Sequence, residues 1–153
     1  MIELAPQQED MAKDFDRWNE KKKALNDAAF SDYVHEREVW WCALGVNVGV
    51  EADGKHGNFE RPVLVLRKFN RDAVLVVPLI SRIKKNPYHA QFQHEGEKAA
   101  VVISQIRPVS TKRLLRKLYR IDSGIFADIQ RSVLTVIQKR PPLSQGPRGP
   151  HGL

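Results

Sequence analysis

Three stretches of this chain bring hydroxyl, carboxylate and cationic side chains close enough in sequence to act on a phosphodiester. The first is a polar stretch over residues 46–60, which carries Glu51, Asp53, Lys55 and His56 and runs into Arg61-Pro62. An arginine at a strand start, followed by proline, has a fixed aim. Such a permanently charged fork suits the charge that develops on a phosphate in a transition state. The second stretch is Ser81-Arg82-Ile83-Lys84-Lys85, a hydroxyl with three cations beside it. The third is Gln105-Ile106-Arg107, followed by Lys112-Arg113 and Arg116-Lys117. Spacing alone leaves a plainer alternative open for each, a solvated arginine beside Glu60 and solvated turns after strands.

Other chemistries are poorly served. His35, His56, His89, His94 and His151 include no pair at helical i,i+4 spacing with a neighbouring acid, so no metal site is expected. The single Cys42 excludes an internal disulfide, and its apolar surroundings read as a small buried hydrophobe rather than a nucleophile. No glycine-rich phosphate loop and no internal repeat is present, and no cofactor is implied.

The elements that must position these residues follow from hydrophobic pattern. Met11, Phe15, Trp18 and Leu25 share one stripe, which predicts a helix over 7–27 with acidic residues leading and basic ones following. Residues 38–44 read as a strand ended by Gly45, and residues 46–60 as a long loop marked by Asn47, Gly49, Asp53-Gly54 and Gly57-Asn58. Val63-Leu64-Val65-Leu66 reads as a strand buried on both faces, with Pro62 confined to its start. Further strands are expected over 73–79, 88–93 and 99–105, the last closed by Pro108. Residues 109–121 fit a short strand or a helical turn equally. A helix over 123–138 is expected, capped by Ser123, with Ile125, Phe126, Ile129, Val133, Val136 and Ile137 along one side.

Together these give an α+β chain, mostly β, built on a small, strongly curved antiparallel sheet or open barrel. Residues 1–32 form an N-terminal helical extension, 33–139 the β domain, and 140–153 a Pro/Gly-rich tail expected to be disordered. The longest apolar runs fall short of the roughly 20 residues that span a bilayer, and no secretion signal opens the chain, so a cytoplasmic protein is expected. The 25 basic and 18 acidic side chains leave a formal charge of +7. Residues 1–38 hold 6 basic and 10 acidic groups, or −4, and the remainder hold 19 and 8, or +11. If strands two, three and five are neighbours, the three basic stretches line one rim and form a groove for single-stranded nucleic acid.

The ordered set Glu38-Val39-Trp40-Trp41, Gly49-Val50-Glu51-Ala52-Asp53-Gly54, Phe59-Glu60-Arg61-Pro62-Val63-Leu64-Val65, Val76-Val77-Pro78-Leu79-Ile80-Ser81-Arg82-Ile83-Lys84 and Ser104-Gln105-Ile106-Arg107 resembles the PemK/MazF toxin family over about residues 36–138. The resemblance implies an SH3-like small antiparallel barrel with an added N-terminal and C-terminal helix, usually a homodimer. It implies a sequence-preferring endoribonuclease of a type II toxin–antitoxin system. Such an enzyme cleaves single-stranded RNA without metal, leaves a 2′,3′-cyclic phosphate, and is neutralised by a protein antitoxin in the RNA site. Arg61 corresponds to the family's arginine at the Arg-Pro step, which supports proton transfer and phosphate charge. Ser81 is the surviving hydroxyl of a pair that is commonly Thr-Ser and here reads Ile80-Ser81, and Ser104 stands where some members carry an acid. Glu51 is the first choice for general base and His56 the second. Lys55, His56, Arg82, Lys84, Lys85, Gln105 and Arg107 are assigned to RNA binding. The alternative is a non-catalytic barrel that binds nucleic acid or a protein.

Overall fold

The run Val63-Leu64-Val65-Leu66 has no polar side, and the fold gives it two dry faces. The computed structural model describes residues 12–31 and 33–138, with the His56 side chain also outside the description. In chain order the elements are α1 (Phe15–Asp27), β1 (Glu38–Ala43), β2 (Glu60–Lys68), β3 (Ala73–Ile80), β4 (His89–His94), β5 (Glu97–Val102), β6 (Arg107–Ser110), β7 (Leu114–Arg120) and α2 (Ser123–Gln138). The strand order is β4-β5-β3-β2-β1-β7, with β6 attached to β3, and each pairing is antiparallel. Val63 and Val65 pack on one face with Trp40, Cys42, Val74, Val76, Val109 and Leu114. Leu64 and Leu66 pack on the other with Val39, Val77, Leu79, Phe92, Val101 and the α2 residues Phe126 and Ile129. No described helix is long and apolar enough to cross a membrane.

The strand β3 changes partner partway along. Ala73 to Val76 pair with β6, and Leu79 and Ile80 pair with β5. Pro78 lies in the gap, where that side of β3 has no ladder partner to miss its absent N–H. This switch curls the sheet, so that its terminal strands approach: His94 of β4 stacks on Tyr119 of β7 with ring centroids 3.9 Å apart. The sheet is not closed by hydrogen bonds, and this stack joins its ends.

Seven strands form where five are predicted. Residues 109–121 supply both expected elements in succession, the 3₁₀ turn Thr111–Arg113 and then β7. Pro108 does not close a strand but lies within β6, which pairs only with β3 and so has a free edge that tolerates proline. The fifth strand stops at Val102 because Ile103–Gln105 turns as a 3₁₀ helix. The cap of α2 is Asp122 rather than Ser123, its carboxylate accepting from Gly124 N at 2.8 Å and Ile125 N at 3.3 Å. The first helix starts at Phe15, where Asp14 caps it by accepting from Arg17 N. The earlier part of the predicted 7–27 helix, including Met11, and the tail expected over 140–153 lie outside the described residues.

One charged side chain is buried at the root of the sheet. The Glu38 carboxylate, 3% exposed, accepts from His35 N at 2.6 Å and Trp40 Nε1 at 3.3 Å, and pairs with Lys117 Nζ at 3.2 Å. Burial pushes its pKa up, but the hydrogen bonds and the Lys117 charge outweigh this and hold it below its ordinary value. The folded state therefore binds the proton more weakly than the unfolded chain. The stabilisation is complete above the ordinary glutamate range and is lost as pH falls through the lowered value. Glu38→Gln is expected to cost about 1–3 kcal/mol at neutral pH and to flatten the fall in stability on acidification, read by denaturant melts at several pH values. Cys42 is fully buried and its thiol is pushed up to about 12, so it should resist thiol reagents until the protein unfolds.

Candidate active-site groove

Arg61 enters at the start of β2, paired with Cys42 of β1. Its Nε donates to Asp53 O at 2.6 Å and its Nη1 to Leu79 O at 3.4 Å, leaving the rest of the fork free to turn outward. Burial lowers its pKa from the ordinary guanidinium value, and the Asp53 carboxylate opposes that shift. The residue is half-buried and positioned by backbone carbonyls from two different segments.

In front of it lies a groove of about 480 Å³, lined by Trp41, Lys55, Glu60, Arg61, Leu79, Ile80, Ser81, Arg116 and Tyr119 among others. Three of the sequence-derived site residues, Lys55, Arg61 and Ser81, therefore face one space. Ser81 is exposed just past the end of β3, and Lys55 is anchored by its N–H to Glu60 O at 2.8 Å. Arg82, Lys84 and Lys85 continue from Ser81 as an exposed basic segment that does not line the groove. Sequence reasoning did not assign Trp41, Glu60 or Tyr119, and it named Arg116 only as part of the third basic stretch. Arg116 lies over the Trp41 ring at 5.1 Å and donates to Glu60 Oε2 at 2.9 Å, so the three form one wall. The signal for this wall is the Trp41–Arg116 pairing across β1 and β7, a register interrupted by bulges.

The loop between β1 and β2 is folded on itself. Asn47 Nδ2 donates to Leu44 O at 3.0 Å and Ala52 O at 2.8 Å, while its N–H donates to Asp53 Oδ1 at 2.6 Å. Gly54 passes so close to Phe59 that a Cβ would meet Phe59 O at 1.8 Å, which leaves glycine as the residue that fits. Gln105 grips the loop from the side, its Nε2 donating to Val50 O at 3.1 Å and its Oε1 accepting from Ala52 N at 2.9 Å. Glu51 is exposed beside the tip, with Oε1 accepting from Val48 N at 2.9 Å, and does not line the groove. Arg107 is displaced further. On β6 it pairs with Val76 of β3, and it acts electrostatically on Cys42 and Arg113, away from Arg61. The three basic stretches thus share one groove only through Lys55, Arg61, Ser81 and Arg116, while Arg82, Lys84, Lys85, Arg107, Lys112 and Arg113 do not line it.

Helix α1 braces the loop from behind. Trp18 is buried against Gly45, where a Cβ would meet its ring at 1.9 Å, and packs on Phe59 with centroids 5.5 Å apart. Lys13 Nζ donates to Asn47 O at 2.6 Å and Gly49 O at 2.9 Å and pairs with Asp53 at 3.0 Å. Lys21 donates to Asn58 O and faces the Glu60 carboxylate at 4.0 Å. No α1 residue lines the groove itself. Among the described residues no three His, Cys, Asp or Glu side chains gather as metal ligands would.

A family model described as PemK-like, MazF-like toxin of type II toxin-antitoxin system matches residues 35–137, a span that excludes α1. Deinococcus radiodurans MazF is similar in fold, with a TM-score of 0.60 at 21% identity over 70% of this chain and 99% of that one. An endoribonuclease in complex with its cognate antitoxin from a mycobacterial species gives 0.53 at 14% identity, over 71% and 99%. The MazE-MazF complex (Form-II) of D. radiodurans gives 0.53 at 20%, over 69% and 97%. No curated protein sequence matches the chain.

The brace predicts a local response. Lys13→Ala removes a charge-assisted anchor worth about 1.5 kcal/mol, so hydrogen exchange over residues 47–53 should quicken by about tenfold with α2 unchanged. Unaltered protection in the loop would show that Lys13 does not hold it.

Proposed function

The chain belongs to the PemK-like, MazF-like toxins of type II toxin–antitoxin systems, and on that premise we propose that its groove is the active site of an endoribonuclease. The observation that supports this is the convergence of Arg61 from β2, Ser81 from the end of β3 and Lys55 from the loop on one groove. The substrate is single-stranded RNA, whose unpaired ribose can rotate its 2′-OH into line with the scissile bond, and cleavage at preferred sequences needs no metal. The 2′-oxygen attacks phosphorus as its proton passes to a base, and the P–O5′ bond breaks. The leaving oxygen takes a proton from solvent. The products are a 2′,3′-cyclic phosphate and a 5′-hydroxyl.

In this scheme Arg61 stabilises the charge on the pentavalent phosphorus, and the Ser81 hydroxyl orients a non-bridging oxygen. Lys55 and the exposed Arg82, Lys84 and Lys85 attract the flanking backbone. We assign the base to Glu51, whose Oε2 makes no hydrogen bond or ion pair among the described residues, carried toward the ribose by a shift of the loop tip. Gln105 acts by gripping that loop. A protein antitoxin that occupies the groove with acidic side chains, a homodimeric toxin and a cytoplasmic location complete the proposal. The fold neighbours include an endoribonuclease in complex with its cognate antitoxin and a MazE-MazF complex.

The test is incubation of the purified, chelator-treated protein with a long RNA and mapping of the cut ends. Arg61→Ala should lower kcat by about 10²–10³-fold, or ~2.7–4 kcal/mol, with thermal unfolding little changed. Ser81→Ala and Glu51→Gln should each lower it by about 10²-fold. Cleavage at the original rate by Arg61→Ala would place the chemistry elsewhere. RNA that is bound but never cut by the unmodified protein would favour the non-catalytic barrel.

A further inference from the structure

The run Lys21-Lys22-Lys23 on α1 faces two ways. Lys21 reaches Asn58 and Glu60, both part of the catalytic groove. Lys22 and Lys23 instead line a separate hollow of about 400 Å³ between α1 and the 3₁₀ turn Thr111–Arg113, together with Asn26, Ser110, Lys112 and Arg113.

Two cations of this hollow, Lys112 and Arg113, are held in place by backbone carbonyls and aromatic rings without being neutralised by a carboxylate among the described residues. Lys112 Nζ donates to Asn26 O at 2.5 Å and rests 4.4 Å from the centroid of the Phe30 ring. Arg113 Nη1 donates to Ala43 O at 3.1 Å and lies over Trp18 at 5.6 Å. Lys22, Lys112 and Arg113 form no ion pair with a carboxylate among the described residues, and Lys23 pairs only with the exposed Glu20. Arg113 is half-buried, and burial and the nearby Arg107 guanidinium both lower its pKa. A part-desolvated cation next to another cation is relieved by an anion.

We propose that this hollow is a second RNA-backbone site, which takes phosphates of the substrate strand beyond the segment held in the catalytic groove. It rests on the endoribonuclease reading for the identity of the strand. The lining favours RNA over an acidic protein segment, because Leu25 is its one apolar side chain among the described residues. Protein partners are anchored by buried aromatic and apolar groups, whereas a phosphate backbone needs only cations and donors. The site is built largely by α1, outside the family-matched span of residues 35–137.

The test is equilibrium binding in the uncleaving Arg61→Ala background, with single-stranded RNAs of about 4 and about 16 nucleotides, the range of site sizes of small single-strand-binding folds. The triple variant K22Q/K23Q/K112Q should lose about tenfold or more in affinity for the longer RNA. Its salt slope should fall by about 2, at ~0.7 per phosphate contact, while its affinity for the short RNA is retained. The charge-conserving K22R/K23R/K112R should restore long-RNA binding, and matching thermal melts exclude misfolding. Equal long-RNA affinity in the glutamine variant overturns the second site, as does a loss confined to binding of polyglutamate. Lysine-dependent binding in a protein that, with Arg61 intact, cuts no RNA overturns the cleavage reading and leaves the second site standing. A chain that binds neither RNA overturns both.

Discussion

Arg61 must be charged, partly out of water and aimed, and these demands conflict. Withdrawing a guanidinium from solvent lowers its affinity for the proton, and a carboxylate placed to restore it would also compete with any phosphate. The structure meets the conflict with carbonyl oxygens. Asp53 O and Leu79 O take two N–H groups of the fork, and the Asp53 carboxylate is turned away to Asn47 N and Lys13. The arginine keeps its aim without a direct carboxylate hydrogen bond on the fork. One of those carbonyls belongs to the β1–β2 loop, so the shape of the loop is a precondition for the aim of the side chain. That shape rests on the Gly54–Phe59 approach, the grip of Gln105 and the brace of α1.

The other carbonyl, from Leu79, makes the end of β3 the second precondition. Leu79 and Ile80 leave β6 behind and pair with β5, so the chain that continues into Ser81 lies on the β5 side of the sheet, facing Arg61 across the groove. Had β6 followed β3 to its end, Pro78 would face a ladder it cannot serve. The proline therefore marks the point at which one strand serves two neighbours, and the two faces of β2 need that curl to be covered separately.

The parts of this arrangement that depend on local pattern were legible in the sequence. The two-sided apolar run, the Gly/Asn-rich loop and the α2 stripe each stand where hydrophobic period and turn chemistry place them. Arg61 and Ser81 stood out because of their order along a familiar set of motifs, and the structure puts them in one groove. What depends on register was not legible. Trp41, Glu60 and Arg116 form a wall only through bulged pairing between β1 and β7. Gln105 and Arg107 are two residues apart, yet the first ends a 3₁₀ turn and grips the loop while the second begins β6 on the Cys42 side. Pro108 looked like a terminator because proline's exemption on a free strand edge is a property of the neighbour, not of the residue.

Charge shows the same limit in another form. Dividing the chain at residue 38 gives an acidic leader of −4, which suggests a segment able to close a basic groove. The described stretch 12–27 within that leader, which holds α1, carries five basic and four acidic groups, so the excess of acid lies before and after it. Its acidic side chains cap the helix or face solvent, whereas Lys13 and Lys21 bond loop carbonyls and Lys22 and Lys23 line the second hollow. The helix therefore adds positive field to the body of the protein instead of screening it. Charges beyond about 10 Å are screened at moderate salt, so what an RNA strand meets is decided by which cations share a concave surface. Sequence position divides the cations into leader and body, whereas the fold joins Lys22 and Lys23 of the leader to Lys112 and Arg113 of the body in one hollow and gathers Lys55, Arg61 and Arg116 in the other.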